Sequence, residues 1–581
     1  MSRIPLRKAA KDISIVLCGA AGQGVQTVEE LLIGAFRQAG YSVFASREYM
    51  SRVRGGNNST EIRISSWPIR AFVDRIDILM PLSPGIRDNI LRRISEETVI
   101  ICDSKEMGGE GESLGGSLVD VDIVQIAKDI GGRIFANFVA AGVIIGLIEG
   151  GLEWAKGFCD ERFAGKKEDI AEKNKIALER GYEVGRALVK GDSILLPPEA
   201  VMRSAHRVVM NGTDAISLGA LAGGCSFITA YPMSPATGVL TYMAQKAEEM
   251  GIVVEQAEDE LAAINMALGA SYAGARAMVS TSGGGFDLMC EGISLAGVME
   301  SPVVIHLAQR PGPATGMATR TEQGDLDVAL CGGHGEFPRA VLAPATLEEA
   351  FRLGAKAFYL AETYQIPVIL MTDQYFLNSY YDIPIPDVKA AVIPSAIIET
   401  EEDYRRYEIT SNGISPRGIP GYGKGIVGAD SHEHDEVGHV YEDFDLRERM
   451  VRKRFRKLEK MKVEAEEPLF VGPSDYRTLI IGWGSTFHIL EEALDYIGRS
   501  DVALMHFQQL YPLPENLGER LEQAQRIVVV EGNNRGQFAR LLKSEIGREP
   551  DYVLGYYSGL QFSVEQIARD LDSCFIGEVL S

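Results

Sequence analysis

Residues 226–238 read SFITAYPMSPATG. A short apolar strand ends here in a turn, in which two prolines restrict the backbone and present the hydroxyls of Ser234 and Thr237. The carboxyl end of a strand is the usual ligand edge of an open α/β sheet, so the turn is a candidate binding segment. On this segment alone, an ordinary proline-rich turn explains the residues equally well.

Similar apolar runs recur along the chain with amphipathic helical segments between them, a pattern typical of parallel α/β units. The predicted strands begin at Ile13, Asp77, Thr98, Ser226, Ala275, Pro302, Ile366, Thr478, Val502 and Arg526. They form three clusters, and the sequence therefore predicts an α/β fold with three doubly wound domains. The predicted domains are residues 1–190, 205–390 and 474–581, with 391–473 as a linker or cover segment rather than a fourth sheet.

The composition excludes several classes of protein. The 581 residues suffice for three or so domains. The 58 basic and 81 acidic side chains give a net charge of -23, which disfavours general nucleic-acid binding. Seven cysteines without C-x-x-C spacing disfavour a zinc ribbon or an iron–sulfur cluster and suit a reducing cytoplasm.

No secretory signal is apparent in the first twelve residues, MSRIPLRKAAKD. The most membrane-like stretch, residues 138–148, is about half as long as a spanning helix and predicts a buried helix instead. We therefore expect a cytoplasmic protein without a membrane segment.

The first predicted strand ends in a glycine-rich turn, GAAGQGVQT, where backbone N–H groups could approach an anion at a helix N-terminus. Its spacing is G-x-x-G-x-G, which disfavours a dinucleotide site. A second glycine segment, RVRGGNN, adds two cations; an anion-handling or subunit-contact surface and a plain surface loop remain alternatives. The residues singled out in these two segments are Gly19, Gly22, Gln23, Gly24 and Arg54.

The second predicted domain holds three further signals. The acidic stretch EQAEDE at 255–260 begins an alanine-rich helix, although the helix dipole alone would favour one or two carboxylates there. The segment TSGGG at 281–285 ends a strand, and such a run is costly unless backbone must approach something closely. A Gly/Pro-rich loop at 308–325 carries Arg310 and Arg320, and arginine is suited to gripping a carboxylate with two parallel hydrogen bonds.

Taken in order, the Y-P-x-[ST]-P turn, the acidic helix start, T-S-G-G-G and the arginine loop resemble the thiamine-binding pyrimidine domain of the 2-oxoacid:ferredoxin oxidoreductases. The resemblance covers nearly the whole chain. Residues 1–190 look like the family's gamma domain, with Ala21 where glycine is usual, and 205–390 look like its pyrimidine-binding (PYR) domain. Residues 474–581, with GWGST, QLYPLP and EGNNRGQ, look like its transketolase C-terminal-like domain. The gamma-then-alpha order is most similar to the fused alpha subunit of the 2-oxoglutarate:ferredoxin oxidoreductases.

This resemblance implies roles for individual residues. Glu260 falls at the glutamate that hydrogen-bonds the aminopyrimidine and favours its imino tautomer, through which the cofactor deprotonates its own thiazolium carbon; Glu258 is the alternative match. Ser234 and Arg310 would bind the C1 carboxylate of the substrate, and Arg320 the distal carboxylate of a dicarboxylic one. The remaining implied site residues are Thr237 for the substrate and Tyr231, Pro232, Ser282 and Gly283 for the pyrimidine.

Three other segments have simpler explanations. Residues 418–424 fit G-x-x-x-x-G-K, but Gly425 replaces the required Ser or Thr and no strand precedes them, so a P-loop is disfavoured. The histidine-rich stretch HEHDEVGH lacks the H-E-x-x-H spacing, which favours a polar loop or lid over a metal site. The basic helix RERMVRKRFRKLEKM lacks a clean apolar stripe, so we expect a solvated face rather than a membrane anchor.

What is absent completes the expectation. Resemblance would place the magnesium-diphosphate site in a G-D-G motif, and no G-D-G occurs in the sequence. The family resemblance therefore implies a beta subunit that supplies Mg²⁺, the diphosphate site and a [4Fe-4S] cluster, so that thiamine diphosphate is shared between the two chains. We expect an (alpha-beta)2 heterotetramer, with ferredoxin docking on the beta subunit because this chain is as acidic as ferredoxins typically are.

The implied reaction is the oxidative decarboxylation of 2-oxoglutarate with coenzyme A to succinyl-CoA and CO2, with two one-electron transfers to ferredoxin. It could run backward as a carboxylation if the ferredoxin is sufficiently reducing. Two alternatives remain: the same chemistry on a branched-chain or other 2-oxoacid, and a non-catalytic scaffold that retains the fold. The presence of Glu260, Ser234 and Arg310 disfavours the scaffold.

Overall fold

The computed structural model describes residues 11–20, 25–49, 57–108, 114–164, 168–189, 194–196 and 206–576. These residues form two compact units. The first contains the described residues up to Val209 together with Ser379–Ile385 and Ser563–Glu565, and the second contains the others.

The strands and helices follow one another in α/β alternation. The strands are β1 (Asp12–Ala20), β2 (Ser42–Glu48), β3 (Asn57–Ser65), β4 (Ile78–Pro81), β5 (Val99–Cys102), β6 (Ser117–Asp120), β7 (Arg207–Asn211), β8 (Phe227–Ala230), β9 (Val253–Gln256), β10 (Ala277–Thr281), β11 (Val303–Gln309), β12 (Ala340–Leu342), β13 (Pro367–Asp373), β14 (Ser379–Pro384), β15 (Leu469–Val471), β16 (Thr478–Trp483), β17 (Val502–Phe507), β18 (Gln509–Tyr511), β19 (Arg526–Glu531) and β20 (Tyr552–Gly555). The helices are α1 (Val25–Gln38), α2 (Asp88–Leu91), α3 (Ile123–Ile130), α4 (Ala136–Ile148), α5 (Leu152–Arg162), α6 (Glu168–Leu188), α7 (Gly212–Ala222), α8 (Thr237–Met250), α9 (Glu260–Tyr272), α10 (Gly283–Val298), α11 (Leu326–Cys331), α12 (Leu347–Tyr364), α13 (Gln374–Asn378), α14 (Phe444–Val463), α15 (Phe487–Ile497), α16 (Gly518–Gln523), α17 (Gln537–Ile546) and α18 (Val564–Ile576).

The first unit is built on an eight-stranded sheet in the order β6-β5-β4-β1-β3-β2-β14-β7. Strands β1, β4, β5 and β6 are parallel to one another, whereas β3 runs antiparallel to both β1 and β2. Strand β1 is buried along nearly its whole length. A strand covered on both faces is a continuous apolar run, which is why the sequence predicted this one.

Helix α4 is the buried helix that the sequence predicted at 138–148. It packs on α6 through glycines: a Cβ on Gly142 would lie 2.3 Å from the Leu178 carbonyl oxygen, and one on Gly181 would lie 2.1 Å from the Val139 carbonyl oxygen. Because any side chain there would push the backbones apart, the close approach of the two helices requires glycine. Among the described residues, no helix is long and apolar enough to cross a membrane.

The second unit holds the other two sheets, a seven-stranded one in the order β18-β12-β13-β11-β10-β8-β9 and a five-stranded one in the order β15-β17-β16-β19-β20. Strands β8 to β13 are parallel, and β18 joins them antiparallel to β12. All ten strands predicted from the sequence are present, so the predicted α/β class with three sheets is confirmed. The bounds and the identities of the four predicted segments, 1–190, 205–390, 391–473 and 474–581, stay predictions.

The stretch between β14 and β15 is mostly irregular backbone around α14. The expectation that this basic helix presents a solvated face is wrong for part of its surface. Lys453 and Lys457, one helical turn apart, are fully buried, and each ammonium lies 2.6 Å from the Glu300 carboxylate, two residues after α10. The buried carboxylate compensates charges that would otherwise have to face water.

Candidate active site

Most of the site residues predicted from the sequence follow parallel strands of the seven-stranded sheet. Tyr231, Pro232, Ser234 and Thr237 follow β8, and Glu260 follows β9. Ser282 and Gly283 follow β10, while Arg310 follows β11. Because the strands are parallel, these loops emerge at the same carboxyl edge of the sheet, where ligands of open α/β sheets bind.

Arg310 joins two of these loops. Its guanidinium donates a hydrogen bond of 2.6 Å to the Ser234 carbonyl oxygen, so the Ser234 hydroxyl is not used in this contact. The arginine is only 8% exposed, and its Nε is buried without a hydrogen-bond partner among the described residues. Burial lowers the pKa of Arg310, opposed by nearby Asp325. A buried cation with an unused donor is suited to binding an anion.

Glu260 is the first residue of α9 and is only 4% exposed. The preceding Asp259 caps the helix by accepting a 2.7 Å hydrogen bond from the Ala262 N–H. Glu260 therefore has no capping role, and its Oε1 is buried without a hydrogen-bond partner among the described residues. Glu258, the alternative match, is exposed. Burial distinguishes the two glutamates and places only Glu260 inside the site.

The T-S-G-G-G segment packs against the carboxylates of Glu260 and Asp325. A Cβ on Gly285 would lie 2.7 Å from Glu260 Oε1 and 2.2 Å from Thr281 Oγ1. A Cβ on Gly283 would lie 2.7 Å from both carboxylate oxygens of Asp325. Ser282 is fully buried, and its hydroxyl has no hydrogen-bond partner among the described residues. The glycines therefore make room for two carboxylates at the start of α10.

The remaining predicted residues surround this centre. Tyr231 is exposed, and Pro232, Thr237 and Arg320 are partly exposed. Thr237 begins α8, and its N–H donates a 3.1 Å hydrogen bond to the Met233 carbonyl. Arg320 lies toward Gly559, where an added Cβ would come within 3.3 Å of the Arg320 Cβ. Arg320 therefore lies beside the segment that follows β20.

The arginine loop is held by the segment that carries the five-stranded sheet. The Gln323 side chain donates to the Trp483 carbonyl at 2.9 Å and accepts from the Gly532 N–H at 2.8 Å. The Asn533 side chain donates to the Gln323 carbonyl at 3.0 Å. The GWGST and EGNNRGQ motifs, noted in the sequence only as family features, therefore fix the loop that presents both arginines.

Sequence reasoning assigned no role to Asp325 or Gly285. Asp325 ends the arginine loop, and its Oδ2 is buried without a hydrogen-bond partner among the described residues. The glycine was part of a noted motif, but its contact with Glu260 depends on a pairing of distant segments. The run Q-G-D at 323–325 closes the arginine loop, and nothing local in it indicates a buried carboxylate.

The two glycine segments of the first unit can be followed only in part. Gly19 lies in β1 opposite Asn58 of β3. The other predicted residues of that surface, Gly22, Gln23, Gly24 and Arg54, lie outside the described residues.

Residues 418–424, which resemble a P-loop, and the histidine-rich stretch 432–439 both pack against other parts of the protein. Gly423 lies against the Thr400 backbone, and the His434 ring packs at a tilt against Tyr407 with ring centroids 3.9 Å apart. Across the part of the chain that the structure describes, no group of three His, Cys, Asp or Glu side chains is arranged to hold a metal ion.

Comparisons with known proteins place the chain in a family. Residues 218–453 match the family model described as pyruvate flavodoxin/ferredoxin oxidoreductase, thiamine diphosphate-binding, and residues 14–184 match the one described as pyruvate ferredoxin/flavodoxin oxidoreductase. The 2-oxoacid:ferredoxin oxidoreductase subunit alpha of a Sulfolobus species is 31% identical over 96% of this chain and 96% of its own length. This chain belongs to the 2-oxoacid:ferredoxin oxidoreductases.

Two further relatives have names that specify 2-oxoglutarate. The 2-oxoglutarate oxidoreductase subunit KorA of Mycobacterium tuberculosis is 29% identical over 99% of this chain and 93% of its own length. The solved 2-oxoglutarate:ferredoxin oxidoreductase of Magnetococcus marinus, with 2-oxoglutarate, coenzyme A and succinyl-CoA bound, has a TM-score of 0.91 and 29% identity, covering 97% of this chain and 99% of that one. The resemblance found in the sequence is confirmed at the level of family and fold.

Proposed function

We propose that this chain is the alpha subunit of a 2-oxoglutarate:ferredoxin oxidoreductase, which converts 2-oxoglutarate and coenzyme A to succinyl-CoA and CO2 while reducing ferredoxin. One observation carries the proposal. Four buried polar atoms without hydrogen-bond partners among the described residues belong to the segments that follow β9, β10 and β11 at this edge of the sheet: Glu260 Oε1, Ser282 Oγ, Arg310 Nε and Asp325 Oδ2. Unpaired buried polar atoms cost about 1–3 kcal/mol each, so their concentration here supports a bound ligand in the working enzyme.

The residues present fit the aminopyrimidine half of thiamine diphosphate. Glu260 offers a buried acceptor oxygen, while Tyr231, Pro232, Ser282 and Gly283 would line the ring. Bound thiamine diphosphate would supply a thiazolium carbon acid able to attack a 2-oxo group. Glu260 would hold a proton at the pyrimidine edge, which is the contribution of this chain to that chemistry.

The anionic substrate would be bound by the arginine loop. Arg310 and the Ser234 hydroxyl would hold the C1 carboxylate, with Thr237 at the edge of the same turn. Arg320 would reach the distal carboxylate that distinguishes 2-oxoglutarate from monocarboxylic 2-oxoacids.

A beta subunit would complete the site. Leu261 of α9 and Leu288 of α10 are 45% and 49% exposed, and they stand on the two helices that begin at Glu260 and Gly283. Large apolar side chains exposed beside a site suit a partner surface. That partner would bring Mg²⁺, the diphosphate site and a [4Fe-4S] cluster, would present the docking surface for ferredoxin, and would pair with this chain in an (alpha-beta)2 assembly.

The second candidate is the same chemistry on a broader range of 2-oxoacids. It is favoured by the Sulfolobus relative, whose name specifies a 2-oxoacid rather than 2-oxoglutarate. The two candidates differ only in what Arg320 contributes, so that residue decides between them.

The test is to co-express this chain with its beta subunit and assay a panel of 2-oxoacids with coenzyme A and a viologen acceptor. We expect Arg320→Ala to raise the KM for 2-oxoglutarate by at least about tenfold, the loss of one charged hydrogen-bonding contact, and the KM for pyruvate by less than about twofold. Arg499→Ala, which removes an exposed arginine paired with Asp501, is the matched control.

Equal effects of Arg320→Ala on both substrates would support the second candidate. Absence of turnover with every 2-oxoacid, by a complex that assembles with its clusters intact, would refute the proposed activity and support a scaffold.

A further inference from the structure

Asp325 occupies a special place in the site. It ends the arginine loop just before α11, and its N–H donates a 3.1 Å hydrogen bond to Gln309 Oε1. Its carboxylate lies against Gly283 at the start of α10, where an added Cβ would sit 2.7 Å from each oxygen. Its Oδ2 is buried and has no hydrogen-bond partner among the described residues. The N–H hydrogen bond holds the residue in place beside Gly283, and Oδ2 is available to a ligand.

The charged groups that face Asp325 come from two elements. Asp287 of α10 and Glu322 of the arginine loop are both unfavourable to its ionisation, and Arg310 is the favourable one. Burial, together with these two carboxylates, outweighs Arg310 and raises the pKa of Asp325 to about 7. Burial also raises the pKa of Glu322 and lowers that of Arg310. Arg310 is therefore the one favourable charge near the Asp325 carboxyl, against two unfavourable ones.

We propose that Asp325 is a substrate-binding residue that flanks the carboxylate of the 2-oxoacid together with Arg310 and holds a proton whenever that carboxylate is bound. This inference rests on the proposed function. Two ionised carboxylates beside a single buried guanidinium repel each other, so one of them must be neutral. The substrate carboxylate is a much stronger acid than a buried aspartate, so the proton resides on Asp325.

Protonation makes Asp325 a hydrogen-bond donor to the substrate. A carboxylic acid donates one hydrogen bond, and Oδ2 is the oxygen left unpaired. The protonated Asp325 would donate to a substrate carboxylate oxygen, while Arg310 donates to the other. The proton comes from solvent, and no covalent bond to the substrate forms or breaks. The residue therefore acts on substrate binding and leaves the later chemistry unchanged.

The sign of the pH dependence follows directly. Below the pKa of Asp325, the proton is already in place, so substrate affinity does not change with pH. Above it, each substrate molecule must bring in a proton, and the apparent KM rises about tenfold for each further pH unit. The kcat should stay constant, because the bound state is protonated on both sides of the midpoint.

The experiment compares the wild-type complex with its Asp325→Asn and Glu322→Gln variants between about pH 6 and pH 8.5, all purified with the partner subunit. Asparagine copies the shape and donor of the protonated acid, so we expect its KM to be flat over this range, with kcat within about threefold of wild type. Glu322→Gln should keep the rise but move its midpoint to lower pH, because one facing negative charge is lost.

A second readout does not depend on turnover. The infrared band of a protonated carboxyl, taken as the difference between wild type and Asp325→Asn, should disappear with a midpoint near pH 7, and adding 2-oxoglutarate should restore it at about pH 8. A wild-type KM that is flat with pH, a rise that persists unchanged in Asp325→Asn, or a carboxyl that is ionised throughout would each overturn the inference. A complex whose infrared band titrates but that neither binds nor turns over any 2-oxoacid would refute the proposed function, and with it the substrate part of the inference.

Discussion

Glu260 illustrates how a single residue can carry a cost that folding alone does not explain. Asp259 already caps α9, so the helix gains no cap from the neighbouring carboxylate. Burying Glu260 with one unpaired oxygen costs about 1–3 kcal/mol. A chain shaped for stability alone would place a smaller or apolar residue there. The cost is offset only if the carboxyl serves a ligand or a reaction.

Glu260→Gln tests this directly. Glutamine keeps the size and one acceptor but cannot exchange a proton, so we expect turnover to fall by about 10²-fold or more while the complex still assembles. Thermal stability should stay near that of wild type, because glutamine keeps the size and shape of the buried side chain. Turnover and Tm are the measurements, and Glu258→Gln, two residues earlier and exposed, should leave both near wild type. The reverse pattern between the two variants would move the role to Glu258.

Gly285→Ala tests the packing that positions Glu260. The new Cβ would lie 2.7 Å from Glu260 Oε1 and 2.2 Å from Thr281 Oγ1, so the carboxylate must shift. We expect a stability loss of about 1–3 kcal/mol from overpacking, together with a loss of activity larger than the loss of folded protein. Gly269→Ala in α9 is the matched control, because its Cβ would meet nothing within 4 Å. It should preserve activity and should not destabilise the helix.

At this scale, the sequence was informative where chemistry is local. Ser234, Glu260 and Arg310 each follow a strand in a recognisable motif, and all three lie at one edge of the sheet. Asp325 gave no local signal, because its burial and its contact with Gly283 arise from segments about forty residues apart that only the folded sheet brings together.

At the scale of elements, α14 shows what local pattern cannot supply. Its basic residues look alike in the sequence, yet Lys453 and Lys457 are fully buried on the face that meets Glu300. Burial opposes ionisation of Glu300, but the two lysines outweigh it and hold the pKa of this carboxyl well below its usual range. The partner lies more than 150 residues away in the chain, so no helical periodicity could reveal it.

Glu300→Gln should therefore destabilise the second unit. Removing one partner leaves two buried ammonium groups uncompensated, for which we expect about 3–5 kcal/mol at pH 7. Because the pKa of Glu300 is lower in the folded chain, its contribution is present above the unfolded pKa of about 4.5 and is lost as the pH falls below it. The gap between wild type and variant in urea unfolding should thus narrow from pH 7 to about pH 4.

The matched control for that experiment lies on the same helix. Glu448→Gln removes an exposed carboxylate that pairs with Arg452 at 2.9 Å, and surface pairs contribute little. We expect a change below about 1 kcal/mol at either pH. If Glu300→Gln behaves like Glu448→Gln, the buried cluster does not stabilise this segment.

For the whole molecule, the uniformly apolar strands were predictable and several charged or short strands were not. Strands such as β11 and β13 are buried throughout, and their sequences are correspondingly apolar. Strands β2 and β3 were missed because they carry charged residues whose partners lie elsewhere. Glu61 of β3, for example, is buried against Arg93 at 2.5 Å. Strand β18 joins the seven-stranded sheet by pairing Tyr511 with Val341. No pattern in the sequence predicted this pairing.

The proposed partner surface offers apolar contact through its exposed leucines, whatever the net charge of -23 on the chain as a whole. Leu261 and Leu288 are exposed on the helices that begin at the site, so a beta subunit seated there would bury them and exclude water from Glu260 at the same time. Association and catalysis should then fail together when this surface is changed.

Leu288→Asp is the sharpest test of that coupling. A charge buried in an apolar contact is not compensated, so we expect the affinity for the beta subunit to fall by at least about thirtyfold, with the fold of this chain preserved because Leu288 is half exposed. The measurement is co-purification and mass photometry of the complex, with circular dichroism of this chain. Tyr496→Asp on α15 is the matched control. Tyr496 is 68% exposed and belongs to neither of the two helices that begin at the site, so this variant should leave assembly intact. Normal assembly of Leu288→Asp, or equal loss in both variants, would place the beta subunit elsewhere and leave the buried carboxyl of Glu260 without the cover that its chemistry requires.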